Sequence, residues 1–296
     1  MKSAIYLLGA FFMTTAGFGA ERRYAESVAM TGHAEDAATT FDVRIARFPE
    51  QNRGTLWFYA YVNGRQYSLV DEHVQLLTEA TTPVAQADVT FSLTGSSSAS
   101  LAGRDRYSAN MTGHLQARGM LHPQAHPEPG QGDIPVEIEA SFTAGHTPIN
   151  VRAGRIEVMG RVRGIVRIDG QQVHIDLPGK WHEQTGERPS FAPAFTYLFL
   201  QGEERGLMAT RHERGAWGYV FQDGVITDIT AIEIAPYGQP KREFTATLSD
   251  GSTIDGTATI VREVSVPIEG KRRPGATVVV DSDIGHLVGV VNDWRP

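Results

Sequence analysis

The sequence contains no cysteine, and this absence removes several kinds of chemistry. Without a thiol the protein cannot form disulfides, use a cysteine nucleophile, or hold zinc or an iron–sulfur cluster through thiolates. A chain of 296 residues is long enough to bury a core that needs no covalent cross-links. Any metal would have to be bound by His, Asp or Glu, and we expect neither a metal nor another cofactor.

Positive charge is scarce. The 34 acidic residues outnumber the 27 basic ones, which gives a formal charge of −7, and no basic run is longer than Lys271-Arg272-Arg273. Proteins that bind nucleic acid usually carry a basic patch that neutralises phosphates. We therefore expect no nucleic acid as a partner.

The familiar catalytic motifs are also missing. The sequence has no Gly-x-Ser-x-Gly and no phosphate-binding loop, the usual signs of serine hydrolases and nucleotide enzymes. His182-Glu183 begins like a zinc-protease motif, but Gly186 stands where the second histidine would be. His174, His182 and His212 could bind a metal only by meeting in space, and no spacing supports this. We predict no metal site.

Long helical periodicity is absent, and the one long apolar stretch lies at the N-terminus. Lys2 precedes an apolar run from Ala4 to Phe18, which ends in small residues before the charged Glu21. This pattern is typical of a signal peptide over residues 1–20, cleaved after Gly19 or Ala20, and an uncleaved anchor is the alternative. We expect an exported protein, periplasmic or secreted, that contacts a membrane surface to take up its substrate.

Short alternating runs of apolar and polar residues begin at Thr40 and are typical of strands. Pairs that tolerate positive φ join several of these runs: Asn63-Gly64, Asp169-Gly170, Asp223-Gly224 and Asp250-Gly251. Such turns predict an up-and-down antiparallel sheet in which sequential strands pair.

The expected fold is all-β, with two antiparallel barrel or sandwich units in tandem. Closed barrels are favoured because so many sequential strands would otherwise leave exposed edges. A Gly/Pro-containing segment at residues 148–154 precedes a fresh series of strands, so we place the boundary there and predict units at 21–152 and 153–296. The turn-rich segment with His122 and His126 is expected to be a surface loop without a site.

The stretch from Leu177 to Phe221 concentrates acid–base and aromatic residues. The pairs His182-Glu183 and His212-Glu213 flank aromatic residues on alternate positions, which period-two geometry places on one face of each strand: Phe195, Tyr197, Phe199, then Trp217, Tyr219 and Phe221. An apolar pocket with a few polar groups has this composition. The alternative is an ordinary core stripe.

Pro178-Gly179 is expected to end a strand, which makes Lys180 to Pro193 a loop at a barrel mouth. Within it, Glu183 could donate a proton if aromatic neighbours keep it neutral, and His182 could accept one. The alternative is a solvated loop.

Two short segments carry a resemblance to a known superfamily. Gly179-Lys-Trp-His-Glu-Gln184 and Trp217-Gly-Tyr-Val-Phe-Gln-Asp-Gly224 resemble the lipocalin-like tandem β-barrel superfamily, which includes carotenoid 1,2-hydratase relatives, kievitone hydratase and fungal Diels–Alderases. The resemblance implies two calycin-type units over residues 24–296 and a hydrophobic ligand site. It also implies cofactor-free chemistry on isoprenoid-like or polyketide-like substrates, by proton donation to an alkene or by templating. Trp57-Phe58-Tyr59 matches the Glu-Trp-Trp-Tyr run of carotenoid hydratases only loosely, which leaves a carotenoid substrate open.

The leading functional hypothesis is a cofactor-free lyase or isomerase with Glu183, His182 and His212 as catalytic residues. The ligand, a small hydrophobic molecule, is expected to bind to Trp57, Tyr59, Trp181, Phe195, Tyr197, Trp217 and Tyr219. The alternatives are an exported carrier of a hydrophobic ligand and a structural or partner-binding β protein. A carrier needs no polar cluster at the pocket, so the three catalytic candidates pointing away from the cavity would favour it.

Overall fold

The computed structural model describes residues 23–75, 89–93, 97–123, 134–152, 154–188, 194–268 and 271–294. The predicted signal peptide at 1–20 lies outside the described residues, as does His126. Apart from a 3₁₀ turn at Pro49–Gln51, the regular structure in these ranges is all strand, which confirms the all-β prediction. No helix in the described ranges is long and apolar enough to cross a membrane.

The first sheet contains the strands of residues 23–188, in the spatial order β4-β3-β2-β1-β11-β10-β8-β7-β6-β5, with β9 paired to β10. A further pairing between β4 and β7 curls the sheet back on itself. Its strands are β1 (Arg23–His33), β2 (Thr40–Phe48), β3 (Arg53–Val62), β4 (Arg65–Gln75), β5 (Val89–Leu93), β6 (Ser98–Arg104), β7 (Thr112–Pro123), β8 (Ile134–Ala144), β9 (Ile149–Arg152), β10 (Arg155–Ile168) and β11 (Gln171–Arg188).

The second unit is a closed barrel in which each strand pairs with its sequence neighbours and the last pairs with the first. Its strands are β12 (Phe195–Gly202), β13 (Arg205–His212), β14 (Gly215–Gln222), β15 (Val225–Ile234), β16 (Lys241–Leu248), β17 (Thr253–Ile268), β18 (Lys271–Ser282) and β19 (Gly285–Trp294). Closure leaves no unpaired edge in this unit, as the sequence predicted.

The predicted hairpin turns have the backbone that their sequences favour. Asn63-Gly64, Asp169-Gly170 and Asp223-Gly224 have positive φ at both positions, which matches the right-handed twist of the strands they join. At Asp250-Gly251 the positive φ is confined to Gly251, and the loop between β16 and β17 is longer. All four turns join sequential antiparallel strands.

The predicted boundary at residues 152/153 falls inside the first sheet. Both β10 and β11 follow that boundary, yet β11 pairs with β10 on one side and with β1 on the other. Within the segment at 148–154, Ile149–Arg152 form the short β9, and Gly154 has a positive φ of 73° directly before β10. The chain passes from the sheet to the barrel between Arg188 and Phe195.

The predicted loop from Lys180 to Pro193 is strand as far as Arg188, because β11 runs through Pro178-Gly179, and residues 189–193 lie outside the described ranges. The pairing of β11 with β1 stops at Gly179, so the missing N–H of Pro178 leaves no ladder bond unmade on that side. A Cβ at Gly179 would lie 2.4 Å from a methyl group of Val162, so a residue without a side chain fits there. The residues expected at a barrel mouth therefore lie on a strand between two neighbours.

Each unit has its own apolar core, and a third cluster joins them. That cluster combines Met159 of β10 with outward-facing residues of the barrel: Phe199, Met208, Tyr219 and Phe221. Fully burying a side chain of this size stabilises the fold by about 1.5–3 kcal/mol. The two units thus pack outer face against outer face.

Candidate active site

The outer face of the first sheet carries two parallel rows of side chains opposite the barrel. Because residues two apart share a face, the strand register aligns Lys180, Thr31, Asp42 and Tyr59 in one row across β11, β1, β2 and β3. The adjacent row contains His182, Ala29, Arg44 and Trp57. Direct cross-strand partners have Cα atoms about 4.5–5.5 Å apart, so each row places its side chains in contact distance.

The barrel supplies the opposite wall through β12 and β19. Phe195 pairs with Trp294, and their rings stack with centroids 4.9 Å apart. Tyr197 pairs with Asn292, and Phe199 completes the alternate row on β12. The aromatic trio of β12 therefore faces the first sheet, on one side of the strand as its spacing predicted.

A cavity of about 260 Å³ lies between these two walls. It is lined by all eight residues of the two rows and, from the barrel, by Phe195, Tyr197, Phe199, Val290, Asn292 and Trp294. The expected pocket inside a barrel is thus replaced by a cavity between the units. The physical reason is that the barrel interior is filled by its own core, including Leu198 and Leu200.

Asp42 is a carboxyl group on the cavity wall. Burial raises its pKa, while the nearby Lys180 and Arg44 act in the opposite direction. Among the described residues, no hydrogen bond or ion pair within 4.0 Å holds this carboxyl. A carboxyl whose burial disfavours the charged form can keep a proton and donate it.

Lys180 lies beside Asp42 in the same part of the cavity. Its ammonium donates a hydrogen bond of 2.6 Å to the hydroxyl of Tyr197 and lies 3.8 Å from the ring centroid of Phe199. The side chain is only 6% exposed. A cation is thereby fixed between a phenol and an aromatic face.

Glu157 and His182 form a second polar group next to the cavity. Burial would raise the pKa of Glu157, but Arg155, Lys180 and His182 outweigh it and hold that pKa well below its usual value. Burial, together with Arg155, lowers the pKa of His182 to about 3, so its ring is neutral at physiological pH. Nδ1 of His182 lies 3.1 Å from Glu157 and must carry the proton, because a carboxylate only accepts. This leaves Nε2 as a proton acceptor.

Several polar atoms around the cavity are buried and have no hydrogen-bond partner in the described residues: Thr31 Oγ1, Arg44 Nε, Trp57 Nε1 and Tyr59 Oη. Buried polar groups in native proteins are normally bonded, so these atoms lack the partners that such groups usually have. Burial raises the pKa of Tyr59 well above its usual value, which keeps its hydroxyl protonated.

The structure places five of the predicted site residues on the cavity: Trp57, Tyr59, His182, Phe195 and Tyr197. They come from both units, which face each other across the cavity. Their roles remain predictions.

Trp181 and Glu183 lie on the other face of β11, inside the first unit. They alternate with Lys180 and His182, so they point away from the cavity. Arg106 binds both oxygens of Glu183, with Nε donating at 2.7 Å, and the indole of Trp181 donates to the same carboxylate at 2.8 Å. Glu183 is therefore an enclosed ion-pair partner, and the geometry offers it no route to a ligand in the cavity.

The remaining predicted residues lie outside the cavity lining. Trp217 and Tyr219 pack in the cluster between the units, with Arg155 4.9 Å from the ring centroid of Trp217. His212 ends β13, and its Nδ1 accepts a hydrogen bond of 3.3 Å from the backbone N–H of Arg214. His212 does not meet His182.

Sequence reasoning missed Asp42, Arg44 and Lys180. The available signal was β3, where Trp57, Tyr59 and Tyr61 alternate with Leu56 and Phe58. A strand that is apolar or aromatic on both faces is usually covered on both. That pattern indicated a second layer over this sheet. The charged residues on alternate positions of β2, Asp42 and Arg44, would then face that layer and not solvent.

Metal binding has no visible basis in the ranges that the structure describes. There, no group of three or more His, Asp or Glu residues is arranged to hold a metal ion. His174 is exposed on β11, where it contacts Gln172.

Comparison with known families identifies the chain. The family described as "Domain of unknown function (DUF7064)" matches residues 16–282. The chain belongs to the DUF7064 family. No curated protein matches this DUF7064 chain by sequence.

Solved structures share the fold of this DUF7064 protein. CghA bound to Sch210972 has a TM-score of 0.59 at 14% identity, over 92% of this chain and 86% of its own. Kievitone hydratase from Nectria haematococca has a TM-score of 0.53 at 13% identity, over 92% and 89%. An AttH-like protein from Nitrosomonas europaea has a TM-score of 0.58 at 11% identity, over 98% and 100%. These similarities confirm the lipocalin-like tandem fold that the sequence resemblance implied.

Proposed function

We propose that this protein is a cofactor-free lyase or isomerase of the hydratase or cyclase type, acting on a hydrophobic molecule held between the two units. The observation that carries the proposal is Asp42, a carboxyl group on an aromatic cavity whose burial raises its pKa and which no described residue binds. That kievitone hydratase shares the fold, and that CghA was solved with Sch210972, supports this class of function.

The proposed reaction begins with proton transfer from Asp42 to one carbon of an alkene. The π electrons form the new C–H bond, a carbocation is left at the other carbon, and Asp42 becomes a carboxylate. In a hydration, water adds to the cation and returns a proton to Asp42. In a cyclisation, a second double bond attacks the cation, and the proton lost from carbon restores Asp42. Both routes balance without a cofactor.

The aromatic walls would stabilise the cation, because the face of a ring attracts positive charge. Trp57 and Tyr59 lie on the same wall as Asp42, and Phe195 and Tyr197 lie opposite. The neutral imidazole of His182 could accept the proton that leaves.

A non-catalytic carrier is the second candidate, and two placements favour it. Glu183 is enclosed with Arg106 inside the first unit, and His212 lies at a turn of the barrel, so two of the three expected catalytic groups point away from the cavity. A carrier would use the same apolar cavity without proton transfer.

Native mass spectrometry of protein purified from its host, followed by turnover assays on whatever apolar molecule co-purifies, separates the two candidates. For an enzyme, Asp42→Asn should retain the ligand but lose about 100-fold or more in turnover. Asp228→Asn, on the exposed face of β15, is the matched control and should behave as wild type. If the wild-type protein binds the ligand but never converts it, the protein is a carrier and not an enzyme.

A further inference from the structure

The wall of the cavity carries more positive than negative charge. Its lining includes four permanently or normally cationic side chains, Arg44, Arg155, Lys180 and Arg262, and one carboxyl group, that of Asp42. His33 and His182 also line it, but burial and the neighbouring cations lower the pKa of each to about 3, so both are neutral. Arg155 is paired with Glu157. The charges of Arg44, Lys180 and Arg262 are then still to be balanced.

The contacts of these three cations are to neutral groups. Lys180 donates to the hydroxyl of Tyr197, and the guanidinium of Arg44 donates to Ser27 and lies 4.7 Å from the ring centroid of Trp57. Arg262 lies over Tyr61 and donates to two threonine hydroxyls, of Thr40 and Thr277. Within the described residues, no carboxylate oxygen lies within 4.0 Å of any of the three.

Such an arrangement is costly unless an anion joins it. A charge removed from water needs a partner of opposite sign or several hydrogen bonds, and an ammonium has three donors. Lys180 is 6% exposed and has one hydrogen-bond acceptor among the described residues. Glu157 also acts on Lys180, but it is bound by Arg155 and His182. Asp42 offers no negative charge while it holds the proton that it is proposed to donate.

Two residues that line the cavity, Thr31 and Arg44, each have a buried polar atom without a hydrogen-bond partner among the described residues. The hydroxyl of Thr31 is buried without a partner, and in the strand register Thr31 lies between Lys180 and Asp42. The Nε of Arg44 is likewise buried and without a partner in the described ranges. Arg44 follows Asp42 by two residues on the same face of β2, so both groups border one end of the cavity.

We propose that the ligand of this cavity is an apolar molecule that bears an anionic oxygen group, a carboxylate or an enolate, and that Lys180, Arg44 and the hydroxyl of Thr31 bind that group. This inference rests on the proposed function, because it assigns the substrate class for the same cavity. The apolar body lies between Trp57 and Tyr59 on one side and Phe195 and Tyr197 on the other.

An anionic ligand also makes the proposed chemistry easier. A carbocation that forms beside Lys180 and Arg44 would be repelled by both, and that repulsion is strong in a site that excludes water. An anionic group bound to these side chains cancels their charge before the alkene is protonated.

The inference is tested by comparing farnesoic acid with farnesol, which share one apolar chain and differ in the ionised group. Isothermal titration calorimetry at pH 7.5 should show the acid binding to the wild-type protein at least about tenfold more tightly than the alcohol, because hydrogen bonds to a charged group are stronger than neutral ones. Equal affinities would overturn the inference and leave the proposed function in place.

Variants then locate the anion. Lys180→Met should weaken binding of farnesoic acid about tenfold or more and weaken binding of farnesol much less. Thr31→Val should reduce the same preference without removing a charge. Lys241→Met, on an exposed position of β16, is the matched control. If Lys180→Met does not fold, Thr31→Val and the comparison of the two ligands on wild-type protein still test whether the cavity binds an anionic group. A preference for the acid that survives both cavity variants would overturn the assignment of these residues, and failure of both probes to bind wild-type protein would overturn the proposed function with it.

Discussion

At the scale of single residues, Asp42 is expected to lower the stability of the protein at neutral pH, although the proposed activity depends on it. Its raised pKa means that the folded protein binds the proton more tightly than the unfolded chain does. The stabilising contribution of the neutral carboxyl is complete below the unfolded pKa of about 3.9 and is lost as pH rises through the folded value. Ionised Asp42 therefore lowers stability at neutral and higher pH.

From this sign we predict that Asp42→Asn is more stable than wild type at pH 8 and that the difference shrinks towards zero at pH 4. Urea unfolding at the two pH values measures it. An Asn variant that is less stable than wild type at pH 8 would show that Asp42 is a paired, structural carboxylate.

Glu183 should behave in the opposite way. It is 2% exposed and its carboxylate is bound by Arg106 and Trp181. Glu183→Gln removes a buried carboxylate charge that Arg106 binds, which costs about 3–5 kcal/mol of unfolding free energy. We expect a clear loss in urea unfolding, whereas turnover per folded molecule should change little. Unchanged stability would refute the enclosed ion pair.

The sequence drew attention to His182 and Glu183, but it did not predict that their side chains lie on opposite faces of β11. Sequence alone placed Lys180 to Pro193 in a loop because Pro178-Gly179 reads as a strand end. Only the pairing of β11 with both β1 and β10 shows that neighbours in sequence point to opposite sides. The period-two rule was applied correctly to Phe195 and Tyr197, where a strand was recognised.

At the scale of elements, the cluster between the units should be a main source of their association. Phe199 on β12 is 1% exposed, contacts this cluster and also lies under the ammonium of Lys180. Phe199→Ala should lower the free energy of unfolding by about 3–5 kcal/mol, because it removes apolar area and leaves a gap. It should also weaken ligand binding, since the same ring lines the cavity.

Thermal unfolding and titration with an apolar ligand measure the two effects of Phe199→Ala. Leu198→Ala is the matched comparison, because Leu198 lies one position away inside the barrel core. It should lower stability by a similar amount but leave the cavity wall in place. Equal loss of binding in the two variants would mean that the cavity depends on barrel stability and not on its outer face.

The hairpins were the most predictable elements. Asn-Gly and Asp-Gly pairs determine local backbone geometry, so the turns at Asn63, Asp169 and Asp223 could be located without knowledge of the rest of the fold. The boundary between the units could not, because β11 joins the first sheet by pairing with β1, far away in sequence, and β10 joins it by pairing with β8 and β11. Long-range strand pairing leaves no local mark at residues 152/153.

At the scale of the whole molecule, the cavity exists because two units meet through their outer faces. The first unit provides Asp42, Lys180 and one aromatic wall, and the barrel provides the other wall. This arrangement explains why alternating aromatic rows occur on strands whose inner faces are already apolar. The cavity forms only when the two units are packed together, so neither half of the sequence alone could predict it.

The central claim is that Asp42 donates a proton to carbon in this cavity, and product analysis in D₂O tests it most directly. With the co-purified ligand, or the substrate identified from it, wild-type protein should yield a hydrated or cyclised product with one solvent-derived deuterium bound to carbon. Asp42→Asn should form that product at least about 100-fold more slowly. A product without carbon-bound deuterium, or full activity in Asp42→Asn, would contradict the account.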